Sequence, residues 1–142
     1  MKRYKKGYTQ GVYDMFHIGH LNLINNAKKY CDYLIVAVNS DELVKEYKHK
    51  KPIISQEQRR YIIENIKAVD EAVVADTLDK IIQLKLYEFD AIFIGDDWRG
   101  NPRWETTQKD LANYGVDVIF LPHTDGVCST ELRKVENGKI EE

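Results

Sequence analysis

The sequence predicts an α/β protein: a doubly wound sheet of about five parallel strands with helices on both faces. Three observations predict it. Short apolar, β-rich runs recur at 33–38 (YLIVAV), 90–94 (DAIFI) and 116–121 (VDVIFL), with a shorter one at 72–75 (AVVA). Strands buried on both faces read this way. Amphipathic stretches separate these runs, and strands alternating with helices imply a parallel sheet. The unusual residues then gather just after the strands, where such sheets bind ligands.

The elements follow in order. The first strand, around Lys6–Gln10, is the weakest, because KGYTQ is polar for a central strand. A helix is expected over 18–30, with Ile18, Leu21, Ile24 and Ala27 on one face. After the strand at 33–38, a helix over 56–67 follows Ser55 as its cap, with Tyr61, Ile62, Ile66 and Val69 turned inward. The strand at 72–75 leads to a helix over 77–87, carrying Leu78, Ile81, Ile82 and Leu86 behind Thr77 as cap. A more polar helix over 103–114 stops at Gly115. A short helix over 129–136 comes last. The pattern is Rossmann-like and is read as one domain over 1–142, long enough for a real core.

Composition narrows the function classes. With 21 Lys and Arg against 23 Asp and Glu, the formal charge is −2. No general basic field is present to hold nucleic acid. Cys31 and Cys128 lie far apart and show no metal-ligand spacing, as expected of reduced thiols in a cytoplasmic protein. The basic start, MKRYKKGYTQ, has no apolar stretch behind it, and no run approaches the length of a membrane span.

Four segments carry chemistry. In GVYDMFHIGH, 11–20, His17 and His20 fall at or inside the first turn of a helix, on about one side. Helix N-termini favour anions. Two imidazoles there suit a phosphate site, though a capping pair or, less readily, a zinc site fits the same spacing. Gly11 suits close approach to the backbone. KEYKHKK, 45–51, reads as a lysine-rich loop, either solvated or closing over a polyphosphate. Arg59 and Arg60 follow on a helix start. GDDWRG, 95–100, offers Asp96 and Asp97 for ribose hydroxyls or a metal, and Trp98 for stacking. HTDGVCSTELR, 123–133, offers Ser129 or Thr130 as a helix cap facing a phosphate, with Arg133 one turn in. Each segment alone is weak. Four anion-friendly segments at strand ends point to a nucleotide or polyphosphate site.

These segments, with RRYIIENIKAVDEA, stand in the order seen in the cytidylyltransferase family, which the chain resembles from about Tyr8 to Lys134. Within it, the glycerol-3-phosphate branch is nearer than the choline- and ethanolamine-phosphate branches. The resemblance implies transfer of CMP from CTP to a small phosphorylated alcohol, glycerol 3-phosphate first, by direct in-line attack with loss of pyrophosphate. Another phospho-alcohol, an ATP-dependent adenylyl transfer and an inactive nucleotide-binding module are the alternatives.

The resemblance assigns residues one by one. His17, His20 and Lys48 are catalytic, the two His stabilising phosphate charge. Gly11, Val12, Tyr13, Asp14, Lys50 and Arg59 bind the nucleotide, Arg59 as a phosphate clamp. Gly95, Asp96 and Asp97 contact the nucleoside. Thr124, Ser129, Thr130 and Arg133 bind the triphosphate through the last helix. Lys67 and His123 stand where the family has Arg, and are assigned to the acceptor side; Arg133 is the alternative to His123 as the phosphate-clamping charge. The resemblance also implies Mg²⁺ held by substrate oxygens and water rather than by a resident metal site, a homodimer, and a product used in cell-wall or capsule assembly.

Overall fold

The polar first strand is the middle of the sheet. In a computed structural model that describes residues 3–122, β1 (Tyr4–Gly11) lies between β2 (Cys31–Asn39) and β4 (Ala91–Gly95). The strand order is β3-β2-β1-β4-β5, with β3 at Glu71–Ala75 and β5 at Asp117–Leu121, and every pair is parallel. KGYTQ survives there because each residue is matched. Tyr8 is fully buried and stacks on Phe89 at 4.6 Å. The Thr9 hydroxyl donates to the Phe93 carbonyl at 2.8 Å. Gly7 is required by space, since a Cβ there would lie 2.4 Å from the Phe93 ring and 2.8 Å from Cys31 Sγ.

The helices cover both faces, as expected. On one side α1 (Ile18–Lys28) and α3 (Gln56–Glu64) bury Ile24, Ala27 and Ile63 against Leu34, Val36, Val38 and Phe93. On the other, α4 (Lys80–Tyr87) and α5 (Pro102–Ala112) pack Ile81, Leu84, Trp104 and Leu111 on Tyr8, Ile35, Ala37 and Ile92. Gly115, at φ +77°, closes α5 as predicted.

Three expectations are corrected. A helix absent from the sequence reading, α2 (Asp41–Lys48), occupies most of the segment taken for a lysine loop. The inward residues of α3 are Arg59 and Ile63, while Tyr61 and Ile62 are 63% and 41% exposed. The cap of α4 is Asp79, whose carboxylate accepts from the Ile81 and Ile82 N–H groups; Thr77 instead accepts from the Asp79 N–H. The expected helix at 129–136 lies outside the described residues.

The chain adds β2 and β3 on one side of β1, then returns to add β4 and β5 on the other. The carboxyl ends of β1 and β4 therefore flank the point where strand order reverses, the usual binding crevice of such sheets.

Candidate active site

β1 ends in a tight loop that carries Gly11 to His17. Tyr13 and Met15 both take left-handed backbone, at φ 55° and 51°. Such positions cost of order 1–3 kcal/mol each and persist only where the surroundings fix them. Asp14, between them, is buried and supplies much of that fixing. One oxygen accepts from Met15 N–H at 3.1 Å and Ile54 N–H at 2.9 Å; the other accepts from Ile53 N–H at 2.8 Å. Gly11 is buried, and a Cβ there would press on the Tyr13 ring at 3.1 Å.

The two histidines begin α1. His17 is the N-cap, and its Nδ1 accepts from Gly19 N–H at 3.0 Å. His20 Nδ1 accepts in return from His17 N–H at 3.3 Å. This is a capping box made of imidazoles where Ser and Glu are usual. A backbone N–H always donates, so both Nδ1 atoms are acceptors and carry no proton. Each ring is thereby set as the neutral tautomer with its proton on Nε2. Burial also lowers the His17 pKa from its ordinary 6.5. The rings lie 4.1 Å apart between centroids, at 31°. Phe16 and Tyr13 back the His20 ring at 5.3 and 5.5 Å. The site thus presents two neutral N–H donors at a helix N-terminus, where developing negative charge is favoured.

Beside this loop, at the end of β2, lies the lysine segment. Ser40 caps α2 by accepting from Leu43 N–H at 3.1 Å. Lys48 ends α2 half-buried, with its Nζ 5.7 Å from the Tyr47 ring. His49 follows in the left-handed conformation, and Lys50 and Lys51 are exposed. Gln10 links the carboxyl ends of three strands here, donating to Asn39 Oδ1 at 2.8 Å and to the Thr77 carbonyl at 2.9 Å.

On the other side, β4 ends at buried Gly95, and Asp96–Trp98 form one 3₁₀ turn. Asp96 is half-buried and Asp97 exposed. The Trp98 ring is covered by Arg103, 5.6 Å from its centroid, and packs on the α4–α5 side of the core.

The carboxyl ends of β2, β1 and β4 thus bring together Gly11, Val12, Tyr13, Asp14, His17, His20, Lys48, Lys50, Gly95, Asp96 and Asp97. Two assignments are corrected. Arg59, expected as a phosphate clamp, is 1% exposed and engaged inside the protein. Its Nε donates to Ile54 O at 2.8 Å, Nη1 to Val12 O and Asn39 O at 2.7 Å each, and Nη2 to Asp41 Oδ1 at 2.7 Å. Lys67, expected on the acceptor side, is exposed in the turn before β3. It lies at the amino end of the sheet, opposite His17 and His20 of the same chain. His123, Thr124, Ser129, Thr130 and Arg133 lie outside the described residues. The internal work of Asp14 and Arg59 was missed from sequence, although an Arg four residues before buried Ile63 marks the same helix face.

A strand–loop–helix anion cradle at the reversal point, with paired imidazole donors, defines a nucleotide-binding α/β protein of the phosphate-handling kind. The comparisons name the family. The model of the cytidylyltransferase-like family matches residues 8–135, and the chain belongs to that family. It is 37% identical over 131 residues to the glycerol-3-phosphate cytidylyltransferase of Bacillus spizizenii, covering 92% of this chain and 95% of that one. With the Staphylococcus aureus enzyme of the same name, identity is 32% over 136 residues, covering 95% and 97%. A solved lipopolysaccharide core biosynthesis protein from Thermoplasma volcanium shares the fold at TM-score 0.71 and 25% identity, covering 87% of this chain and 99% of that chain.

Proposed function

We propose that this protein transfers CMP from CTP to glycerol 3-phosphate, releasing pyrophosphate. The observation that carries the reading is near-full-length similarity to bacterial enzymes of that name. The acceptor phosphate oxygen attacks the α-phosphorus, and the bond to the β-phosphate bridging oxygen breaks. No covalent enzyme intermediate is needed, so positioning and charge stabilisation do the work. In this reading the Nε2–H groups of His17 and His20 donate to phosphate oxygens as charge grows. Lys48 and Lys50 neutralise acceptor and leaving phosphates. Asp96 and Asp97 face the nucleoside.

CTP enters as its Mg²⁺ complex. Among the described residues no group of three His, Cys, Asp or Glu can hold a metal ion, and the Asp14 oxygens accept backbone N–H groups. In this reading Mg²⁺ is held by substrate oxygens and water.

The reading includes a homodimer. The outer face of α3 leaves Tyr61 (63%) and Ile62 (41%) exposed, and Ile53 (70%) is exposed before it, which suits a second copy. Among the described residues no helix is long and apolar enough to cross a membrane. A cytoplasmic location completes the reading.

The test is pyrophosphate release with Mg²⁺, CTP or ATP, and a panel of phospho-alcohols. Release with CTP and glycerol 3-phosphate is expected. Release with phosphocholine alone would move the acceptor, release with ATP alone would replace the nucleotide, and no release with any pair would sink the reading.

A further inference from the structure

Polar bonds hold the Ile53–Ile54 end of the segment between α2 and α3. Ile53 is 70% exposed, so its side chain does not anchor it. Ile54 is gripped from both sides. Its N–H donates to Asp14 at 2.9 Å, and its carbonyl accepts from Arg59 at 2.8 Å. Ile53 N–H adds a second bond to Asp14 at 2.8 Å. Arg59 reaches onward to the carbonyls that end β1 and β2, at Val12 and Asn39, and to the Asp41 carboxylate at the start of α2. Asp41 N–H also donates to Gln56 Oε1 at 2.8 Å, closing the α2–α3 segment at its base.

We propose that Asp14 and Arg59 are positioning residues for catalysis: together they clamp the Ile53–Ile54 peptide, and so fix the Lys48–Lys50 segment against the His17–His20 loop. What such a clamp supplies is rigidity. Lysines on a loose connection sample many positions, and each lost ångström of placement is costly in a reaction that depends on alignment. A buried guanidinium has a planar fork of donors that no other side chain reproduces, and here it joins the ends of β1 and β2 to the segment after the lysines. Asp14 belongs to the histidine loop itself. A pull on either end is therefore transmitted to the other by charge-assisted bonds, the strong kind. Neither residue needs to touch substrate.

The proposal rests on the transferase reading only for its kinetic arm. Hydrogen exchange on the wild-type protein tests the clamp directly. The Ile53 and Ile54 amides should exchange roughly a hundredfold or more slowly than in an unstructured chain. Exchange at the unstructured rate would overturn the clamp. Asp14→Asn keeps one acceptor oxygen but puts an NH₂ donor against one of the two amides; it should strip protection from that amide and lower kcat about ten- to a hundredfold. In a Lys48→Ala, Lys50→Ala background the same substitution should cost clearly less kcat than it does in the wild-type protein, because its route through the lysines is gone. An equal loss in both backgrounds, or intact protection and kcat, would overturn the positioning role. Arg59→Lys keeps the charge without the fork; it should reproduce the pattern and serves if Asp14→Asn does not fold. If neither variant folds, the wild-type exchange still decides whether the clamp exists. A wild-type protein with protected amides and no CTP turnover would leave the clamp standing and remove the proposed reaction.

Discussion

His17 does two jobs that one pair of substitutions can separate. Its Nδ1 caps α1 through Gly19 N–H, and its Nε2–H is assigned to phosphate. Asn keeps the first job, because its side-chain oxygen can stand where Nδ1 stands and Asn is a favoured N-cap. It loses the second, because it is too short to reach the Nε2 position. Ala loses both. Removing one aimed donor from a charge-stabilising site costs about 2.7–4 kcal/mol, or 10²–10³ in kcat. Removing the cap costs about 1 kcal/mol. For a chain of this size that is roughly 2–4 °C in Tm. His17→Asn should therefore keep the wild-type Tm and lose about 10²–10³ in kcat for CTP turnover. His17→Ala should show the same kinetic loss and a lower Tm. Initial rates of pyrophosphate release and thermal melts by circular dichroism give both quantities. Near wild-type turnover for His17→Asn would refute the donor role. An Ala variant as stable as the Asn variant would refute the cap.

The remaining predictions follow from the same contacts. Because burial lowers the His17 pKa below its ordinary 6.5, the unfolded chain takes that proton first as pH falls. His17 thus subtracts stability below pH 6.5, down to its folded pKa, and that pH dependence of denaturant unfolding should be absent in His17→Asn. Raising ionic strength should close the gap in CTP KM between wild type and Lys50→Ala, since exposed charges are screened beyond about 8 Å at 0.15 M salt, whereas the His17→Asn deficit should persist. Parallel gaps at all salt concentrations would count against this division. Gly7→Ala should destabilise by about 1–3 kcal/mol in chemical denaturation, because its Cβ meets Phe93 and Cys31 in a full core; an unchanged midpoint would show that the sheet yields there. Burial pushes the Asp70 carboxyl up, but the Lys28 ammonium at 2.6 Å and Leu34 N–H at 2.7 Å more than offset it, leaving the pKa below the usual 3.8. Asp70→Asn should lower Tm at pH 7, and the difference should vanish as acid protonates the wild-type carboxyl below pH 3.8; a constant difference would deny the linkage.

The apolar strands were legible because burial on both faces leaves a run with no polar position. β1 was legible only by its place in the alternation. Its polar residues are tolerated through specific bonds, such as Thr9 to Phe93, that no periodicity reveals. α3 was read on the wrong face for a related reason. Arg59 occupies a core position, and a hydrophobic pattern treats any Arg as outward. α2 had legible signals that were outweighed by its lysines. Ser40 is a good cap, Asp41 and Glu42 open the helix, and Lys45 and Lys48 close it, all matching the macrodipole. In the site, the positions of His17 and His20 were readable, and their tautomer was not, because it depends on which backbone N–H each ring meets. Lys67 was assigned by family position, and only the sheet topology shows that it precedes β3 at the far end.

The site also answers how a phosphate cradle tolerates a carboxylate in its floor. A bare Asp14 beside a triphosphate would repel it. Here the Asp14 oxygens accept from Met15, Ile53 and Ile54 N–H groups, so partial positive charge surrounds them. Asp41 is likewise matched, by Arg59 at 2.7 Å. Arg59 thus matches the Asp41 charge, and backbone N–H groups offset that of Asp14. In the proposed reaction the field facing substrate is left to exposed Lys50 and Lys51, half-buried Lys48 and the N-terminus of α1. Neutral histidine donors fit this division. They are held by main-chain bonds and need no reorganisation when charge develops, whereas the lysines of the clamped segment supply net charge. Placement resides in the backbone and its clamp, and net charge resides in the lysines that the clamp holds in position.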